Sequence, residues 1–299
     1  MLSRREFAHR AAGAALAAAL PPAATAATAG AASFQLSVML WTVFRELPFE
    51  QRLEKVAEAG YRSVELVGEF EHWSDDDFRQ FLRKKHSLGM TFDATSGIRA
   101  GVADPAGPQA LLAELESFFP VVEKLECPVV ILLSGNRTEG VSRETQHRAC
   151  IESLKRAADL AEKRNITLLL ENIDPEENPR YYLSSVAEGF EIIRAVDHPR
   201  VKFLYDFYHE QIAEGNLIEK LEKNIELVGV VHVADVPGRH QPGSGEINYA
   251  NIFRKLSELK FSGYAAMEFL PLGDPVGALR DARELAQQAG AQPASNSGL

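Results

Sequence analysis

Cysteine is almost missing from this 299-residue chain. The two present, Cys127 and Cys150, cannot build a disulfide scaffold, and neither sits in a C-x-x-C pair suited to redox work. The spacing leaves their pairing open. Basic residues are in deficit, 32 Lys+Arg against 42 Asp+Glu, for a formal charge of −10. That balance excludes a general nucleic-acid binder, which needs a basic footprint. No apolar run approaches the ~20 residues that a transmembrane helix requires. No G-x-G-x-x-G follows the first strand-like run, so a dinucleotide site is unsupported. A 45% hydrophobic share and a 25% charged share exclude wholesale disorder and collagen-like structure. What is present is enough chain for one large α/β domain or two small ones.

The first residues read as a separate piece. Ser3-Arg4-Arg5-Glu6-Phe7 precedes an alanine-rich apolar run, Ala11 to Leu20. Pro21 and Pro22 end that run, and A-x-A sites follow at Ala24-Thr25-Ala26 and Ala27-Thr28-Ala29. A basic start, a short apolar middle and small residues at the end make a secretory signal. The paired arginines resemble the twin-arginine class, whose translocase would be a transient partner. Residues 1–32 are therefore expected to be signal and linker, and the product to be periplasmic. The segment carries Arg4, Arg5 and Arg10 against Glu6, a net +2, so its removal takes the charge from −10 to −12.

The remainder alternates strand and helix eight times. Strand-like runs fall at Phe34–Leu40, Ser63–Val67, Thr91–Thr95, Val129–Leu133, Thr167–Glu171, Lys202–Asp206, Gly229–Val233 and Tyr264–Phe269. Helical patterns lie between them, at Pro48–Ala59, Asp75–Leu88, Gln109–Leu125, Arg143–Lys163, Ser184–Val196, Leu217–Ile225, Tyr249–Leu259 and Pro275–Ala289. Strict alternation means a parallel sheet. Eight units in about 260 residues is the size of a single (β/α)8 barrel. That barrel is expected over 33–290, with 291–299 as a disordered tail. A doubly wound open sheet is the rival fold.

In such barrels chemistry sits where strands end. The fifth run ends LLLE at Glu171, the sixth FLYD at Asp206, the seventh, GVVHV, carries His232, and the eighth, YAAME, reaches Glu268. Three carboxylates converging with an imidazole repel one another strongly unless a cation compensates them. Taken singly, each could be a salt bridge or a loop cap. Together they point to one divalent ion, with O3N donors suiting Mn²⁺ or Mg²⁺ first and Co²⁺, Fe²⁺ or Zn²⁺ after them.

The order Glu, Asp, His, Glu on the last four strands is similar to the xylose-isomerase-like barrel superfamily of sugar isomerases and epimerases. Within it, VPGRHQPGSGEINY (Val236–Tyr249), LSVMLWTVFRELPFEQRLEKVAEAGYRSVEL and ENIDPEENPRYYL (Glu171–Leu183) resemble the hydroxypyruvate isomerase family. That family reads glutamine where this chain has His232, and histidine there is what the superfamily's ketose 3-epimerases use. Asp174 stands where the family has asparagine. The endonuclease IV branch gathers more histidines and basic surface than this chain offers.

The resemblance implies a metal-dependent isomerase of a small hydroxy-carbonyl substrate, moving a proton through an enediolate, as in hydroxypyruvate to tartronate semialdehyde. Glu171 and Glu268 would be catalytic as well as ligands, and Asp206 and His232 ligands only. His209, Arg239 and Glu177 match substrate contacts, and Trp41 would close the apolar side of the pocket. Each has a plainer reading: a cap for His209, an ion pair for Arg239, a solvated loop acid for Glu177, a core ring for Trp41. A sugar or inosose epimerase or dehydratase, and a binding barrel without chemistry, are the alternatives. No nucleic acid and no stable membrane insertion are expected, and a homo-oligomer is left open.

Overall fold

Period-two patterning in short apolar runs builds the sheet. The computed structural model describes residues 34–291. The expected signal over 1–32 and the tail from 292 onward lie outside the described residues. Ala291, placed in that tail by the sequence, is buried against the end of the last helix. The strands are β1 (Gln35–Met39), β2 (Ser63–Val67), β3 (Thr91–Ser96), β4 (Val129–Leu133), β5 (Thr167–Glu171), β6 (Val201–Asp206), β7 (Val228–Val233) and β8 (Tyr264–Met267). All neighbours pair in parallel, and β8 closes onto β1 to make a barrel. The open-sheet rival is thereby excluded.

The helices are α1 (Phe49–Glu58), α2 (Asp75–Ser87), α3 (Pro108–Leu125), α4 (Arg143–Glu162), α5 (Val186–Val196), α6 (Phe207–Ala213), α7 (Leu217–Glu222), α8 (Tyr249–Glu258) and α9 (Pro275–Gln288). Helix α2 shows how local chemistry sets an end. Ser74 and Asp77 form a reciprocal capping box, acids fill the first turn, and Lys84, Lys85 and His86 fill the last. Two differences from the sequence reading concern the stretch after β6. The helix expected over Leu217–Ile225 stops at Glu222, and a 3-10 turn takes Ile225–Leu227. Helix α6 was not expected, because seven residues are too few to show a helical period. Among the described residues no helix is long and apolar enough to cross a membrane.

Side-chain parity divides the core in two. Residues such as Leu168, Leu170, Phe203, Tyr205, Val231 and Val233 point outward into the layer shared with the helices. Met39, Ala94, Ile131, Leu169, Leu204, Val230 and Ala266 fill the barrel's interior. Two residues beyond an inward apolar residue comes the next inward position. Leu169 leads to Glu171, Leu204 to Asp206, Val230 to His232 and Ala266 to Glu268. The same alternation that packs the barrel therefore delivers these side chains to one layer at its C-terminal mouth. Cys127 and Cys150 are buried free thiols.

Close helix-to-sheet contact depends on Gly189 in α5, where an added Cβ would lie 2.3 Å from the buried Phe203 ring of β6. Gly189→Ala is expected to destabilise the fold by about 1–3 kcal/mol through overpacking. Urea unfolding tests this; an unchanged midpoint would contradict the packing account.

Candidate active site

Four inward side chains meet at the mouth. Glu171 closes β5, Asp206 closes β6, His232 lies one residue before the end of β7, and Glu268 follows β8 directly. Asp206 and His232 are register partners. All four are buried, and one ligand atom from each lies within 4.8 Å of every other. His232 Nδ1 is 2.7 Å from Glu268 Oε2, 3.6 Å from Glu171 Oε1 and 3.9 Å from Asp206 Oδ2. Asp206 divides its work. Its Oδ1 caps α6 by accepting from the amides of Tyr208 and His209, which leaves Oδ2 for the cluster.

These residues fit a divalent ion. His232 Nδ1 and Glu268 Oε2 are buried and make no well-aligned hydrogen bond, although they lie 2.7 Å apart and Arg239 Nη2 is close to the carboxylate; polar atoms left this way are costly. Donors on one ion with bonds of about 2.0–2.3 Å stand no more than about 4.6 Å apart, close to the spacing seen. Electrostatics agree. Burial, with Glu268 nearby, raises the proton affinity of Glu171 even though His232 opposes it. Burial acts on Glu268 in the same sense, but Arg239 and His232 outweigh it and hold that carboxyl well below the usual range. Burial would lower His232, yet Glu65 and Glu268 drive it well above an ordinary imidazole. The site draws positive charge to itself.

The other expected contacts are also brought here. A cavity of about 240 Å³ is lined by Glu171, Glu177, His209, Arg239, Glu268 and Trp41, with Met39, Ile131, Leu133 and Ile173 as its apolar side. Arg239 Nη1 is 2.8 Å from Glu177 Oε2, and Nη2 is 2.8 Å from Glu268 Oε2 and 3.4 Å from Asp206 Oδ2. Its guanidinium faces the rings of Tyr208 and Trp41. Arg239 is thus no ordinary surface ion pair. Trp41 is more than an apolar wall, since its indole N–H donates to Glu268 Oε1 at 3.2 Å. Glu177 is half exposed at the rim. His209 is buried in the first turn of α6 rather than capping it, with Nδ1 2.6 Å from Asp174 Oδ2 and Nε2 3.5 Å from Asp206 Oδ2 without a hydrogen bond.

Three further residues shape the site; the sequence marked Asp174 only as a departure from the family pattern and did not pick out Asp235 or Glu65. Asp174 accepts from the amides of Glu176 and Glu177 as well as pairing with His209. Asp235 is fully buried and accepts from the amides of Val236, Gly243, Gly245 and Ile247, folding the loop that presents Arg239. Gly245 permits this, because a Cβ there would lie 2.0 Å from the Val236 carbonyl oxygen. Glu65 on β2 lies 2.9 Å from His232 Nε2. The available signal was an acid inside or just beyond an apolar strand, as in SVELV and VHVAD.

Residues 53–289 match the family model described as xylose isomerase-like TIM barrel. The chain belongs to that family. It is 31% identical over 246 residues to the 2-oxo-tetronate isomerase of Haemophilus influenzae, a match covering 80% of this chain and 95% of that one. It is 27% identical over 243 residues to the hydroxypyruvate isomerase of Escherichia coli K12, covering 79% and 93%. Among solved structures it is similar to the AP endonuclease, family 2, from Brucella melitensis. That likeness has a TM-score of 0.76 at 27% identity, covering 85% of this chain and 98% of the other.

The Asp174–His209 pair gives this member of the family a pH signature. Burial would lower His209, but the charge of Asp206 and the hydrogen bond to Asp174 push it up to about 9. The unfolded value is near 6.5. The charged imidazole therefore contributes stability that is complete below about pH 6.5 and is lost as pH rises through about 9. Asp174→Asn is expected to flatten that decline and shift it to lower pH in urea unfolding of metal-free protein. Parallel curves for the two proteins would contradict the assignment.

Proposed function

We propose that this protein is a divalent-metal-dependent isomerase of small α-hydroxy carbonyl acids, working on hydroxypyruvate or a 2-oxo-tetronate-like substrate. The observation that carries the reading is the buried convergence of Glu171, Asp206, His232 and Glu268 beside a small cavity with a polar and an apolar side. A divalent ion held by these four would supply Lewis-acid stabilisation of oxyanion charge. The chain's own residues do the rest. Glu171 and Glu268 exchange the proton between adjacent carbons, and the direction of reaction decides which acts first. Arg239, firmly protonated among its carboxylates, and His209 orient a substrate carboxylate or paired hydroxyls. The apolar side limits water around the enediolate.

Two aspects rest on sequence alone. The twin-arginine-like start supports export to the periplasm, and the donor set supports Mn²⁺ or Mg²⁺ as the resident ion. One feature, His232 as the nitrogen donor, favours a second reading as a sugar epimerase. The acidic balance of −10 disfavours DNA as substrate.

Proton exchange in deuterated water tests the proposal. Metal-loaded protein is expected to incorporate deuterium into hydroxypyruvate or 2-oxo-tetronate. Glu171→Gln and Glu268→Gln are each expected to slow this by about 10²–10⁴-fold. Epimerised ketose as the sole labelled product would favour the second reading. No exchange with any of these substrates would overturn both.

A further inference from the structure

One buried acid of the barrel interior has no part in the proton transfer described above. Glu65 lies mid-way along β2, between the outward-facing Val64 and Leu66, and is fully buried. Strands β2 and β7 are not neighbours in the barrel, yet Glu65 Oε2 reaches His232 Nε2 at 2.9 Å. Among the described residues no other side chain hydrogen-bonds to the His232 ring. Behind Glu65, Asp93 of β3 is fixed by Ser37 Oγ at 2.5 Å and Ser63 Oγ at 2.6 Å, which stiffens this side of the interior.

An imidazole binds a cation through a bare nitrogen, and the hydrogen bond at its other nitrogen decides which one is bare. A carboxylate can only accept. Facing Glu65, Nε2 must keep its hydrogen, so Nδ1 is the nitrogen that can give up its proton to an ion among Glu171, Asp206 and Glu268. Those three carboxylates pull the other way. In the opposite tautomer Nδ1 would hold a hydrogen beside Glu268 Oε2, 2.7 Å away, and the nitrogen would be closed to an ion.

We infer that Glu65 is the positioning residue that selects the Nδ1-donor form of His232 and so makes the cluster competent to bind a divalent ion. This rests on reading the cluster as a metal site. Mn²⁺ titration of the purified full chain by calorimetry tests it without reference to activity. Wild-type protein is expected to bind one Mn²⁺. Glu65→Leu, which removes the acceptor, should bind about 10–100-fold more weakly. Glu65→Gln, which keeps a carbonyl acceptor at the same reach, should lose less. Leucine and wild-type affinities within three-fold of each other would overturn the role of Glu65 alone. Equal losses in both variants would replace tautomer selection with a simple charge effect and overturn it too. Wild-type protein that takes up no Mn²⁺ would overturn the metal reading itself. Should the leucine variant fail to fold, nitrogen NMR of Zn²⁺-loaded wild type decides. A proton on Nε2 of His232 supports the inference, and a proton on Nδ1 overturns it.

Discussion

Like charges held together in a dry place are the constraint on which this structure turns. Glu171, Asp206 and Glu268 end or follow strands whose preceding inward residues are wholly apolar, so water cannot relax their repulsion. The barrel answers with cations at fixed positions. Arg239 covers Glu268 and Asp206, and the imidazole of His232 stands among the carboxylates. A divalent ion would meet the shortfall that remains, taking the place of the proton on His232 Nδ1. Much of the surrounding architecture serves that balance.

The loops divide the task. The segment after β7 is wound around the Asp235 carboxylate and stitched to the segment after β8, where Leu270 donates to the Arg239 carbonyl at 2.6 Å. Arg239 itself has φ +57°, a left-handed conformation that this loop maintains for a non-glycine residue. On the opposite flank Asp174 organises the turn carrying Glu177 and holds His209. Long, flexible polar side chains are in this way fixed before any substrate arrives, which is what orientation in catalysis requires.

Much of this was legible in the chain. Strand and helix runs of different period, repeated eight times, gave the barrel, and the strands fall within two residues of their expected bounds. Glu171, Asp206, His232 and Glu268 stood out because each interrupts or ends an apolar strand, and all four meet. Helix α6 was hidden because its start depends on Asp206 acting as a cap, a contact that no short pattern reveals. Glu65 was equally visible as an acid in an apolar strand. Its meaning was not, because its partner lies 167 residues away across the barrel. Asp235 was visible as the acid ending VHVAD, but its role was not, since its partners are backbone amides, which leave no mark in a sequence. Residue type and parity place a side chain at the mouth; pairing across the interior decides what it does there.

The central claim is that the four side chains at the ends of β5 to β8 form one cation site. Anomalous diffraction from crystals of the full chain soaked in Mn²⁺ addresses it most directly. The account predicts a single strong peak among Glu171, Asp206, Glu268 and Nδ1 of His232. No peak there, or a peak held by other residues, would contradict it.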